Sequence, residues 1–215
     1  GKGGGKGKGR ASDEYDEKSL VADVEAAKKF EMPSLNDVTG DFLPEYIWRW
    51  EYFSKRLENY FLFVYHKQGV GETMYKQLMQ GVDESIRRFY ECTELERPRF
   101  VPECNFDAQF GKVSRWLYAT LNSKFPEAVR SRVEGLKNQE RRNYGRFEDA
   151  IFFVKLWCAP TTVTQKRKCC EEFCKQRLSW QRMKKGQTFD DCIIRWRNRV
   201  NILEDNDALD VDKSD

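Results

Sequence analysis

The sequence predicts an all-α protein, a bundle of helices in two lobes. Three observations carry that class. Apolar residues recur at three- and four-residue steps along most of the chain, as one buried face of a helix requires. No stretch alternates with the two-residue period of a half-buried strand. Glycine and proline fall at helix-length intervals, where they end one element and begin the next. The expected layout is a disordered arm over residues 1–40, an amino-terminal lobe over 41–140, a carboxyl-terminal lobe over 141–203 and an acidic tail over 204–215.

In chain order, GKGGGKGKGR at 1–10 has too little apolar surface to offset the entropy of ordering. It reads as a flexible basic arm, either a phosphate-contacting segment or a solubilising leader. Residues 12–29 are mixed in charge and partly helical at most. The turn-rich stretch 31–40 is a connector, so folded structure is expected from Asp41. Phe42, Leu43, Tyr46, Ile47, Trp50, Phe53, Leu57, Tyr60, Phe61 and Val64 form one stripe of a long helix that Gly69 closes. Similar spacing predicts helices over 72–90 and 107–123, with Pro98 and Pro102 between them, and over 126–136 with Pro126 in the first turn. The segment 146–157 is apolar on nearly every side, which marks a buried central helix. Thr161 or Thr162 then caps a helix running to Lys185, with Val163, Cys170, Phe173, Cys174, Leu178 and Gln181 inward.

Length and an aromatic content of 14% suffice to fill one good core or two small ones. The net charge of +3 says little, but its distribution says more. Between Arg141 and Val200 stand fifteen Lys or Arg against six Asp or Glu. Glu204, Asp205, Asp207, Asp210, Asp212 and Asp215 oppose Lys213 alone, which reads as a solvated tail. Seven cysteines, an odd number with no secretory leader ahead of them, predict reduced thiols and a cytoplasmic location. No apolar run reaches the length needed to span a bilayer, so no membrane partner is expected.

Candidate chemistry is sparse. Cys169, Cys170 and Cys174 are wrongly spaced for one tetrahedral ion, and no CxxC pair occurs, so no metal site is expected. His66 stands beside Lys67 and Gln68 without a nucleophile or carboxylate nearby in sequence, a surface or capping position. Gly69-Val-Gly71 is too short for a phosphate loop. The pairs Glu171-Glu172 and Asp190-Asp191 read as solvated or capping carboxylates. These features predict no enzyme, no cofactor and no small-molecule substrate.

The most informative stretch is 182–191. Gly186 suits the left-handed close of a helix, after Lys184 and Lys185 in its last turn. Thr188 with Asp191 three residues on makes an S/T-x-x-acid cap for a new helix. In that helix Phe189, Cys192, Ile193, Trp196, Val200 and Leu203 form one face, with Arg195, Arg197 and Arg199 mostly between them. The segments Gln181-Arg-Met-Lys-Lys-Gly-Gln-Thr188 and Arg195-Trp-Arg-Asn-Arg-Val-Asn-Ile-Leu203 resemble the Gag-like capsid protein of LTR retrotransposons, particularly its copia-like branch. There a helix ending Lys-Met-Lys-x-Gly-x-Ser/Thr turns into one ending Asn-x-Leu. The resemblance covers Cys170 to Leu203 and is only suggestive upstream.

What the resemblance implies is a two-lobe capsid protomer, of a retroelement or a host-domesticated derivative, that assembles with copies of itself into a shell around RNA. The hairpin would belong to the carboxyl-terminal lobe, with Trp180, Met183, Phe189, Ile193, Trp196 and Val200 serving its core or self-association. RNA contact would fall to Lys2, Lys6, Lys8 and Arg10 on the arm and to Lys166, Arg167, Lys168, Arg182, Lys184, Lys185, Arg195, Arg197 and Arg199. The chain departs from many relatives in having an acidic tail where a Cys-Cys-His-Cys zinc knuckle often follows. The alternative is an intracellular all-helical adaptor that binds a partner helix or peptide.

Overall fold

A computed structural model of the chain describes residues 20–32, 34–35, 47–137, 144–159, 163–175 and 188–205. Among these the regular structure is wholly helical. In order the α-helices are α1 (Val24–Lys29), α2 (Ile47–Val64), α3 (Val70–Glu91), α4 (Phe106–Leu121), α5 (Glu127–Lys137), α6 (Phe147–Cys158), α7 (Val163–Lys175) and α8 (Phe189–Asp205). The expected all-α class is the observed one. Helices α2 to α6 begin and end close to the bounds that apolar spacing and the Gly and Pro positions set, although residues 41–46 lie outside the described ones.

Helix α6 is the hub. It packs against α2, α3, α4 and α5, and nine of its twelve residues are buried, from Phe147 through Val154 together with Cys158. Its aromatic rings join two clusters. Phe147 lies 6.2 Å from Phe61 and 6.2 Å from Phe125, while Phe152 lies 6.0 Å from Phe89 and 5.6 Å from Phe100. These separations suit offset or edge contacts between rings. The first turn of α6 is capped from outside its own helix. The buried Ser114 hydroxyl on α4 accepts from the Phe147 amide at 3.0 Å and donates to the Glu148 carboxylate. Buried Glu148 and Asp149 also sit where the helix dipole favours negative charge. At the other end Lys155 bridges two neighbours, pairing with Asp83 of α3 at 2.6 Å and lying 5.4 Å from the Trp50 ring of α2.

The corner between α2 and α3 is tight. Gly69 adopts a φ of 68°, and a Cβ on Gly71 would meet the Phe61 carbonyl oxygen at 2.1 Å. Only glycine lets the two backbones come this close.

Two expectations about organisation need correction. The boundary placed between residues 140 and 141 assigns α6 to a carboxyl-terminal lobe, yet α6 fills the middle of the bundle made by α2 to α5. An all-round apolar helix must be enclosed, and the helices that enclose it precede it in sequence. The second correction concerns the arm over 1–40, of which residues 20–35 are largely structured. Asp23 caps α1 by accepting from the Ala26 amide at 2.9 Å, and its own amide donates to the Val64 carbonyl at 2.8 Å. Phe30 stacks on Phe63 at 3.9 Å, and Met32 and Leu35 are buried in the main core. The Leu35 amide donates to the Lys124 carbonyl at 2.8 Å, beside an ion pair between Glu31 and Lys124. This strap crosses α2 and reaches the entry to α5. Residues 1–19 and 206–215, and hence the Gly-Lys arm and most of the acidic tail, lie outside the described ones.

Helices α7 and α8 pack on each other beyond the main core. Phe173 and Trp196 meet at 5.7 Å, and Cys169 and Leu203 are buried. The expected inward stripe of α7 is corrected by about one position, because Cys169 is buried while Cys174 is exposed. Arg199 of α8 ties this pair to the bundle, its Nε donating to the Glu51 carboxylate of α2 at 2.8 Å.

Candidate functional site

One surface open to a partner lies on α8. Its start is fixed by a reciprocal cap: the Thr188 hydroxyl accepts from the Asp191 amide at 3.2 Å, while the Asp191 carboxylate accepts from the Thr188 amide and hydroxyl at 2.8 Å each. Those contacts use backbone groups that a helix otherwise leaves unsatisfied. From that start the 3.6-residue period turns Cys192, Ile193, Arg199, Val200 and Leu203 toward the rest of the protein, and all of these are buried or half-buried. Asp190, Ile194, Arg197, Asn198 and Asn201 face away and are exposed. Ile194 keeps 56% of its surface accessible, Trp196 42% and Phe189 40%.

The candidate core and association residues therefore divide. Ile193 and Val200 are half-buried, Trp196 rests on Phe173 with much of its ring open, and Phe189 is exposed, so the stripe is incompletely covered. Trp180 and Met183 lie outside the described residues, as does the Gly186 corner. Among the candidate phosphate contacts, Arg197 is exposed, Lys166 and Arg167 are half-buried, and Arg199 is engaged by Glu51. The side chains of Lys168 and Arg195 are outside what is described, although both residues belong to helices. Lys2, Lys6, Lys8, Arg10, Arg182, Lys184 and Lys185 are outside entirely.

A second feature had no sequence signal strong enough to be singled out. An apolar groove of about 400 Å³ opens between the strap and α4, lined chiefly by Leu20, Val21, Val24, Lys112, Val113 and Trp116. Trp116 was its one clue. It stands off the buried stripe of α4, which runs through Phe110, Val113, Leu117 and Leu121.

His66 has a partner that sequence reading could not supply. Its Nε2 lies 3.1 Å from Asp23 Oδ2, so the histidine helps hold the strap. Hydrogen bonds from the Ala26 amide and then from His66 keep the Asp23 carboxyl below its ordinary range. All seven cysteines are free thiols, and burial pushes Cys158 up to about 12. Among the described residues no group of three or more His, Cys, Asp or Glu side chains is placed to hold a metal ion. Nor is any described helix long and apolar enough to cross a membrane.

Comparisons of the chain with protein-family models, curated proteins and solved structures found no match.

Proposed function

We propose that this chain is a structural protein that works by self-association, as a Gag-like capsid protomer of an LTR retroelement or of a host gene derived from one. The observation that carries the reading is the incompletely covered surface of α8. Three large apolar side chains, Phe189, Ile194 and Trp196, remain open on one helix. Phe189 and Trp196 lie on one side of the helix and Ile194 on the opposite side, so α8 offers open apolar surface on two faces, and such surface favours contact with a partner. Fully burying each such side chain is worth about 1.5–3 kcal/mol, so a copy-to-copy contact gains from covering even part of them. Repetition of a modest contact in a closed lattice then yields a stable particle. The capped start of α8 at Thr188 and Asp191 also fits the helical punctuation on which the Gag resemblance rests.

RNA packaging is the finer part of the proposal, and it falls to the basic residues. Arg197 is the exposed candidate among those with described side chains, so the remainder of an RNA surface would come from the arm and from 182–185. Light scattering behind size-exclusion chromatography, followed by electron microscopy of the concentrated fractions, tests the reading. Particles or a mass that rises with concentration are expected. A strict monomer at every concentration and salt would contradict it.

A second reading, the helical adaptor, has its own observation in the groove beside Trp116. An amphipathic peptide that quenches tryptophan fluorescence in the wild type, and not in Trp116→Ala, would favour it.

A further inference from the structure

The outward stripe of α8 is its own complement in charge. Asp190 lies one turn before Ile194 and Arg197 about one turn after it, and all three are exposed. Asp190 and Arg197 are two turns apart, about 10 Å along the axis, too far to pair within one helix. Neither takes part in an ion pair among the described residues. The acid and the base stand at nearly equal distances either side of an exposed apolar residue. They do match what a two-fold contact needs, since such a contact is made by one patch meeting itself.

From this stripe we infer that α8 is the self-docking surface of the protein. The helix lies antiparallel against α8 of a second copy, Ile194 against Ile194, with Asp190 of each copy opposite Arg197 of the other. The direction follows from the charges. In a parallel crossing Asp190 would face Asp190 and Arg197 would face Arg197, and both contacts would repel. In an antiparallel crossing centred near Ile194 each acid meets a base, and the two helix dipoles oppose. Asn198 and Asn201 extend the same stripe with polar groups suited to a wet rim. A single helix crossing falls short of the roughly 1,000 Å² that a stable complex buries, so this contact is weak by itself and gains strength by repetition.

The inference rests on the self-association reading and assigns a surface and a geometry to it. Sedimentation velocity on the full chain separates the two. The variants Asp190→Arg and Arg197→Asp each place like charges opposite each other in the pair, so each is expected to weaken self-association roughly tenfold. An equimolar mixture of the two variants restores it, because both positions are basic in one variant and acidic in the other, so every facing pair is again of opposite sign. The double variant restores it as well, with the charges exchanged. The mixture also excludes misfolding as the cause, since unfolded partners would not recover. Single variants that associate like the wild type would overturn the inference while leaving self-association through another surface intact. A mixture no better than its components would overturn it too. A wild type that never associates would end the self-association reading, and this inference with it.

Discussion

Replacing Phe147 by alanine tests the placement of α6 at the centre of the bundle. The side chain is fully buried and touches the rings of Phe61 and Phe125, one from α2 and one from the turn before α5. Removing it forfeits about 1.5–3 kcal/mol of apolar burial. Two aromatic contacts worth about 0.5–1.5 kcal/mol each go with it, and the enclosing helices cannot fully close the cavity. The expected total is about 3–5 kcal/mol, the range of buried phenylalanine truncations. The hydrogen bond that the Phe147 amide donates to the Ser114 hydroxyl stays, because its donor belongs to the backbone. Urea unfolding followed by circular dichroism reads the change as a lower midpoint with an unchanged slope. Phe189→Ala is the control, since that side chain is 40% exposed and should cost less than about 1 kcal/mol. Should Phe147→Ala cost no more than the control, α6 is not the hub and the packing described above is wrong.

Three further outcomes follow from the same packing. Gly71→Ala sets a methyl group against the Phe61 carbonyl, which is backbone and cannot swing aside, so a loss of about 1–3 kcal/mol and a lower melting temperature are expected; a wild-type melting curve would contradict this. Burial pushes the Tyr60 and Tyr75 phenols up to about 12 from 10.0, and raises Tyr65 and Tyr118 as well. The unfolded chain thus ionises first, so the stability these groups carry is complete below pH 10 and is lost as pH rises towards 12. Absorbance at 295 nm should show them titrating together with helix loss, and titration of all nine tyrosines near pH 10 with helicity intact would refute it. Iodoacetamide at pH 8, read by mass spectrometry, should label exposed Cys174 quickly and buried Cys158 only after urea is added; equal rates would contradict the burial that raises the Cys158 thiol.

The helices of the bundle were legible because a buried face imposes a period on the sequence, and Gly69, Pro98 and Pro126 punctuate it. Even the burial of α6 was legible, from Ala150 through Val154 without a polar break. Its partners were not. Periodicity says that a face is covered and does not say by what, so the polar stretch after Leu136 passed for a lobe boundary although the helices before and after it, α5 and α6, pack in one bundle. The strap escaped notice because α1 is only six residues long and, with Ala22 just before it, presents only the alanines Ala26 and Ala27 to the core. The single buried residues Met32 and Leu35, set among turn formers, have no period to betray them.

On α8 the cap was readable from Thr188 and Asp191, since both partners lie within one turn. The fate of the arginines was not, because Arg199 finds Glu51 across 148 residues of sequence. Charge alone made Arg197 and Arg199 equivalent candidates for phosphate, and only packing separates an exposed cation from an engaged one. The groove beside Trp116 depends on the strap and was invisible for the same reason that the strap was.

Sedimentation equilibrium of the purified chain, over a wide range of concentrations at near-physiological salt, tests the proposed self-association most directly. The account predicts a weight-average mass that climbs reversibly above the 25.5 kDa of one chain as concentration rises. A mass fixed at one chain throughout would contradict it.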